Sequence, residues 1–467
     1  MKSTKTPIDA RLKASRSGCR AAAARFFRRA KASAEPSLRV LAVMLLAELL
    51  FLRGMAAQTA PAATNTCVAC HATQQDQRVA TPAALFSGSD VHRENGFKCA
   101  DCHGGNPAAT DKARAHDPAQ QFKGRPAGQA IVGTCARCHS DATFMRGFAP
   151  RQRVDQATEY AASVHGQQLA KGDHNVATCA SCHGAHGIRR VSDAKSPVFP
   201  TNVANTCAAC HADTTRMRGY KRPDGSPLPT QQFADFQKSV HYATLTKGHD
   251  LAAPTCNDCH GNHGAAPPGV GSVTNVCGTC HAIFAQKFGT SVHKDIFDKG
   301  CVECHSNHAV LKPSDDMLAA TGHGLCASCH NADDKADKGA AAAVAMRGDI
   351  ERLKTGIERT GALIGQIKKA GIEVSDQQLA LREAGTKLTL ARTEMHAFAP
   401  PQVAAVVADG DTIIAAVDKA GQNGVVELRY RRRGLFISLG AILLVVVALG
   451  LKLRQIDRQS TELRTKN

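Results

Sequence analysis

Aromatic residues are scarce and tryptophan is absent: 16 Phe and 4 Tyr are all that 467 residues contain. A core of domain size draws much of its buried area from such rings. A large interior packed by side chains alone is therefore excluded, and another group must fill it. Acidic residues are also short, 40 Asp and Glu against 58 Lys and Arg, a formal charge of +18. That sign suggests nucleic acid or an anionic membrane as a partner. Half of the excess, however, sits in residues 1–57, where 12 Lys and Arg face only Asp9, Glu35 and Glu48. Nucleic acid is set aside as a partner.

Cysteine and histidine are abundant instead, at 19 and 21. Eighteen of the cysteines form nine copies of Cys-x-x-Cys-His. They are Cys67/Cys70/His71, Cys99/Cys102/His103, Cys135/Cys138/His139, Cys179/Cys182/His183 and Cys207/Cys210/His211, followed by Cys256/Cys259/His260, Cys277/Cys280/His281, Cys301/Cys304/His305 and Cys326/Cys329/His330. The motif is the attachment signal for c-type haem. Two thiols one helical turn apart reach the two vinyl groups of one porphyrin, and the adjacent imidazole reaches the iron. Zinc ribbons, thioredoxin-like pairs and disulfide frameworks do not call for a histidine after every second cysteine in nine successive copies. Nine covalent haem c groups, each carrying iron, are expected, and their propionates offset the remaining basic charge.

Four segments follow from composition. Residues 1–57 read as a secretory signal: Arg25, Arg28, Arg29, Lys31 and Arg39 precede a short apolar run, Val40 to Leu52, then Met55, Ala56 and Ala57. Cleavage near Ala57 or Ala60 is expected, with an uncleaved anchor as the alternative; Cys19 leaves with the signal. Residues 58–332 are the nine-haem region, at about 29 residues per motif between Cys67 and His330. Residues 333–428 lack cysteine and read as a helical domain. Ile350, Leu353, Ile357, Ile364 and Ile367 form the stripe of a first helix. Ser375-Asp376 caps a second, which carries Ala384, Leu388, Ala391, Met395 and Phe398, and a third crosses Val403–Ala420. Residues 429–467 contain 18 uncharged apolar residues, Gly434 to Leu451, the length of a membrane span, and a tail. Basic residues flank the run on both sides, so the rule that positive loops stay inside does not orient it. Haem attachment outside the cytoplasm puts the tail inside. The expected fold is mainly α with extensive loops, a cytochrome c wrapped around a contiguous haem stack, plus a C-terminal helical hairpin and one transmembrane helix.

The nine motifs alternate in kind. The odd ones are bare, whereas each even one has a histidine upstream: His92, His165, His241 or His293. Three of the even motifs also have one just downstream, His186, His263 and His308. Two-haem modules therefore start at residues 67, 135, 207 and 277, with an unpaired ninth motif at 326. Distal iron ligands are expected from these seven histidines, from His116, because Asn106 stands where the first module's downstream histidine would be, and from His396. His396 is assigned to the ninth haem, with His323 as its competitor. His174 and His249 sit in inserts and are read as propionate partners, as is Arg137. No distal histidine is tied to a particular haem by sequence alone.

From Cys67 to His330 the chain resembles the periplasmic multihaem c-type cytochromes, whose paired motifs are separated by Ser-Val-His and Cys-His-Gly-x-His segments. Ala391-Arg392 with His396 and Phe398 is similar to tails in that group. The resemblance implies low-potential haems held by two histidines each and arranged as a wire. It also implies electron transfer at the cytoplasmic membrane, with other redox proteins as partners; a cytochrome b or quinone-reactive subunit stays open. Quinol-oxidising members carry an N-terminal anchor, and the apolar run here is C-terminal. The rival expectation is a reductase of nitrite, hydroxylamine or a sulfur oxyanion, with one iron left open. No catalytic residue is assigned.

Overall fold

The computed structural model describes residues 65–268 and 273–465; the signal reading of residues 1–57 lies outside them. Among the described residues the chain is mostly helical. Its sheet-like pairing is one isolated bridge, Lys221 with Pro227.

In residues 65–332 the helices are short, the longest being Gln77–Ser89, and the motifs sit on or beside them. Local chemistry explains several. Cys179–His183 and Cys256–His260 are capped at Thr178 and Thr255, whose backbone N–H groups donate to Ser181 Oγ at 3.0 Å and Asp258 Oδ2 at 2.8 Å. The residue before the second cysteine thus closes the first turn. The same device joins Lys98 N–H to Asp101 Oδ2 at 2.6 Å. Each of these helices stops at a glycine after the histidine, Gly104, Gly184 or Gly261, at φ +70, +83 and +80, a left-handed conformation that side chains resist.

The described apolar clusters lie in the C-terminal helices or where these meet Leu318 and Ala320. Between residues 65 and 317 buried apolar residues such as Val132, Leu169 and Leu245 stay scattered. The described residues there build no apolar cluster of their own.

Three long helices follow: α1, Lys338–Lys369; α2, Ser375–Glu394; and α3, Pro400–Thr465. Along α1 the buried or half-buried seam is Met346, Ile350, Leu353, Ile357, Thr360, Ile364 and Ile367, spaced alternately four and three residues apart. Along α3 the matching row is Val403, Val407, Gly410, Ile414, Val417, Gly421 and Gly424. A Cβ at Gly410 would lie 2.7 Å from Leu353, at Gly421 2.6 Å from Leu363, and at Gly424 2.8 Å from Ile367. These contacts advance in parallel, so α1 and α3 run the same way with α2 antiparallel between them. The constant seam with close glycine contacts is that of a three-helix coiled coil.

Three expectations change. The third helix does not end near Ala420, because Gly421 and Gly424 are interface positions rather than breakers; it runs on through the apolar span as one 66-residue helix. The second helix ends at Glu394, and a 3-10 turn, Met395–Ala397, leads to Phe398 at φ +52. Ser375 does not cap that helix; its N–H donates to Glu373 Oε1 at 2.9 Å. From Pro400 to Gly434 the helix rises about 50 Å at about 1.5 Å per residue. By length and composition α3 can cross a membrane, and its apolar window is exposed.

Leu353 is fully buried against α3. Leu353→Ala should cost about 2–5 kcal/mol by cavity formation, and Gly421→Leu about 1–3 kcal/mol by overpacking. Both should lower the midpoint of the far-ultraviolet unfolding transition, whereas Leu439→Ala, on the exposed span, should leave it in place.

Candidate haem-binding sites

The 18 motif cysteines are free thiols. Across most motifs they lie three residues apart on a helical turn, and therefore on one face. Two further details describe the motif thiols. Cys70, Cys102, Cys259, Cys280 and Cys329 are exposed, while the other motif thiols are half-buried. Each of the five is the second cysteine of its motif. The side-chain contact of Cys70 is Gln74 Nε2 at 3.9 Å. An exposed thiol stays reachable for covalent attachment. Second, the cysteine pair is not on an α-helical turn in every motif. Cys329 follows the 3-10 turn Cys326–Ser328 at φ −128, and Cys280 lies past the end of helix Val273–Gly278.

Every motif histidine faces one other histidine. The ring centroids are 6.0 Å apart for His71–His116, 5.9 Å for His103–His186, 6.1 Å for His139–His92, 6.1 Å for His183–His263 and 6.1 Å for His211–His165. They are 6.0 Å for His260–His308, 6.3 Å for His281–His241, 6.2 Å for His305–His396 and 6.1 Å for His330–His293. An iron bound on each side at about 2 Å, with each nitrogen about 1 Å from its ring centre, requires about 6 Å between centroids. Among the described residues no three His, Cys, Asp or Glu converge to hold a bare metal ion. Two opposed imidazoles with thiols to one side fit a flat metal macrocycle that brings its own in-plane donors. The residues therefore fit haem and do not form a zinc site, which needs four protein ligands or nearly so.

The pairing follows a rule that sequence order hides. Each even motif faces the downstream histidine of the next module: His103 with His186, His183 with His263, His260 with His308. Each odd motif after the first faces the upstream histidine of the preceding one: His139 with His92, His211 with His165, His281 with His241, His330 with His293. His396 therefore faces the eighth motif, not the ninth, and it stands in the turn after α2, not on a helix. Together the ninth motif and the bundle take the place of a fifth module. At the other end no motif precedes the first module, so a histidine at Asn106 would have nothing to face; His116 turns back to His71 instead.

Backbone bonds lock neighbouring modules in the same register. Val91 N–H donates to the Ile188 carbonyl at 2.8 Å, Val164 N–H to Ala265 at 3.1 Å, and Val240 N–H to Val310 at 2.8 Å. Asp90 reinforces the first of these. It is 2% exposed, and accepts from His92 N–H and from Ile188 N–H, both at 2.9 Å. Ser163 and Ser239, at the corresponding places, accept from Gly166 and Tyr242. Sequence reasoning missed Asp90, although its position before Val-His was the available signal.

Burial, and then the facing imidazole, push His71, His139, His165, His183, His186, His241, His293, His305 and His308 below the ordinary histidine value. A neutral ring keeps the lone pair that a metal needs. Several second nitrogens are held: His103 Nδ1 meets the Gly124 carbonyl at 2.8 Å, and His396 Nδ1 the Arg392 carbonyl at 3.1 Å. His330 Nδ1 meets Asp337 Oδ1 at 2.9 Å. The backbone N–H groups of Ala340 and Asn331 hold that carboxyl down at about 2. His174, His249 and His323 are exposed and face no motif histidine. Arg137 bonds to the Asp101 carbonyl.

Successive motifs adjoin in chain order. Within modules, first cysteines meet: Cys135 with Cys179, Cys207 with Cys256, and Cys277 with Cys301 share hydrogen bonds that raise the first thiol and lower the second, to about 7, 7 and 6. Between modules second cysteines are neighbours: Cys102 with Cys138, Cys182 with Cys210, Cys259 with Cys280. Cys304 is likewise beside Cys329, which carries the chain of neighbours into the ninth motif.

Asp90→Ala strands two amides, and should destabilise the protein by about 1–3 kcal/mol, read as a lower Tm. Asp90→Ser, the residue of the other modules, should recover most of that loss.

Residues 293–335, which span the eighth and ninth motifs, match the family model described as the doubled CXXCH motif. The match supports a multihaem c-type cytochrome with covalently bound haem. No curated protein and no solved structure matches the chain.

Proposed function

We propose that the chain is a membrane-anchored c-type cytochrome with nine haems, relaying electrons between the respiratory chain and a periplasmic or extracellular redox protein. One observation carries the reading: nine motif histidines each face a second imidazole at the separation an iron requires, and the motifs adjoin in sequence order. Haem supplies the one-electron couple when bound. The chain's own residues would do the rest: the 18 motif cysteines would attach the macrocycles, and the nine motif histidines together with His92, His116, His165, His186, His241, His263, His293, His308 and His396 would hold the irons.

The haem region sits on the cytoplasmic membrane's outer side in this reading, with the tail in the cytoplasm. Its contacts with the bundle gather at one end. Lys287 pairs with Glu394 at 2.7 Å, Arg392 with Asp315 at 2.6 Å, and Arg347 with Asp316 at 2.9 Å. The apolar span starts about 50 Å along α3 from that end. Such a stalk favours a redox protein outside the bilayer as the direct partner over quinol oxidation at the anchor. The rival reading, a reductase of nitrite, hydroxylamine or a sulfur oxyanion, needs a motif histidine without a partner, and each has one.

Two measurements test the proposal. Intact mass should show nine covalent haems. Electron paramagnetic resonance of the oxidised protein should be entirely low-spin, in two classes, because ring planes lie within 18° of parallel in the four even-motif pairs. Those of the odd-motif pairs are tilted by 29° to 86°. A high-spin signal of about one haem per chain that shifts with nitrite or hydroxylamine would transfer the reading to the reductase.

A further inference from the structure

His293 departs from its three counterparts. His92, His165 and His241 ride on helices Val91–Glu94, Val164–Ala170 and Val240–Thr246, each capped by the side chain of Asp90, Ser163 or Ser239. Residues 291–296 form turns, and Ser291 Oγ is buried without a partner. The backbone latch is missing as well: among the described residues Val292 N–H makes no bond to a neighbouring module, and its side chain is 72% exposed. His293 Nδ1 is itself buried with no hydrogen-bond partner, whereas ligating histidines almost always have one.

What holds His293 is hydrocarbon. Phe297 stacks on it at 5.1 Å and 3°, and the edge of Phe398 meets it at 4.2 Å and 77°. Phe398 comes from the bundle, at the strained φ of +52. The opposite side is rigid. His330 is tied to Asp337, which also caps α1 by accepting from Ala340 N–H at 2.9 Å. Gly339 lies so close to the His330 ring that a Cβ would enter it. One ring is hydrogen-bonded to a carboxylate, while the other is held between aromatic rings.

We propose that His293 is the exchangeable axial ligand of the array, and that the ninth motif is where it takes up a small neutral diatomic ligand such as carbon monoxide or nitric oxide. The Phe297 and Phe398 rings offer an oxyanion no hydrogen-bond donor, so the site favours an uncharged ligand. This rests on the haem-loaded reading above, with Asp337 as a positioning residue for His330.

The test uses the full-length, haem-loaded protein in detergent. Intact mass gives the haem count first, so failure of the underlying reading is seen separately. The dithionite-reduced protein is then titrated with carbon monoxide and followed by its Soret difference spectrum. The expected uptake is one equivalent per chain, falling to none in Cys326→Ser/Cys329→Ser, a variant one haem lighter by mass. No uptake by the parent protein, or undiminished uptake by that variant, overturns the proposal. Should the double variant fail to fold, Phe398→Gly removes one wall of the clamp and relieves the positive φ. Carbon monoxide should then bind about tenfold faster, and an unchanged rate overturns the proposal equally.

Discussion

The facing of two imidazoles about 6 Å apart is the constraint on which the rest of this structure depends. Among the described residues of 65–317 there is no apolar cluster, so side-chain burial does not define how one module sits on the next. The paired histidines do, together with the latches from Val91, Val164 and Val240. In ordinary repeat proteins neighbours share an apolar interface. Here each module after the first lends one histidine forward and one backward. Under the proposed reading, an iron–ligand bond therefore joins every adjacent pair, and no internal module can complete its own coordination. Such an array assembles as a whole, and its ends need special treatment.

Both ends receive it. At the first module the downstream position is Asn106, and His116 folds back within the same module to face His71. At the last, an unpaired motif is completed by a polypeptide of another kind. The turn after α2 supplies His396 to the eighth motif and Phe398 to the ring of His293, while Asp337 at the start of α1 fixes His330. The bundle is therefore both the array's final half-module and the stalk that continues into the apolar span. This double duty fits contacts with the motif region that are clustered at one end: Lys287–Glu394, Arg347–Asp316 and Arg392–Asp315 pair there beside the apolar contacts of Leu318, Ala320 and Phe398, and the coiled-coil seam carries on alone from there.

Much of this was legible in the sequence because covalent chemistry leaves a rigid signature. Cys-x-x-Cys-His cannot vary its spacing and still span two vinyl groups, and nine copies expose the alternation of bare and histidine-flanked motifs. The stripe from Ile350 to Ile367 was legible for the same reason, a fixed helical period. The 3-10 turn Cys326–Ser328 in the ninth motif was not, because spacing fixes which thiols act together and says nothing of the backbone between them. The partnering of the histidines was hidden too, since each reaches past its own module, and nearness in sequence points to the wrong motif. His396 illustrates the failure: it follows the ninth motif along the chain and faces the eighth in space. Gly421 and Gly424 lie just beyond the expected end of the third helix at Ala420. Glycine ends many helices, but it also lets two helices touch, and only the position of Leu363 and Ile367 on the facing helix distinguishes these roles.

The asymmetry of the ninth site follows from this architecture rather than from chance in one side chain. In the inner modules the upstream histidine is steadied by the latch its own segment forms with the next module's loop. Beyond the fourth module there is no such loop, because the bundle begins. The segment around His293 therefore loses its helix, its cap and its latch together, and Phe398 is what the bundle offers in exchange. A ring contact constrains position but gives Nδ1 no acceptor, so the hold is steric here, whereas the segments of His92, His165 and His241 are held by helix, cap and backbone latch. The junction between a repeating array and a non-repeating cap is where such a defect is expected, and it is also the point nearest the stalk.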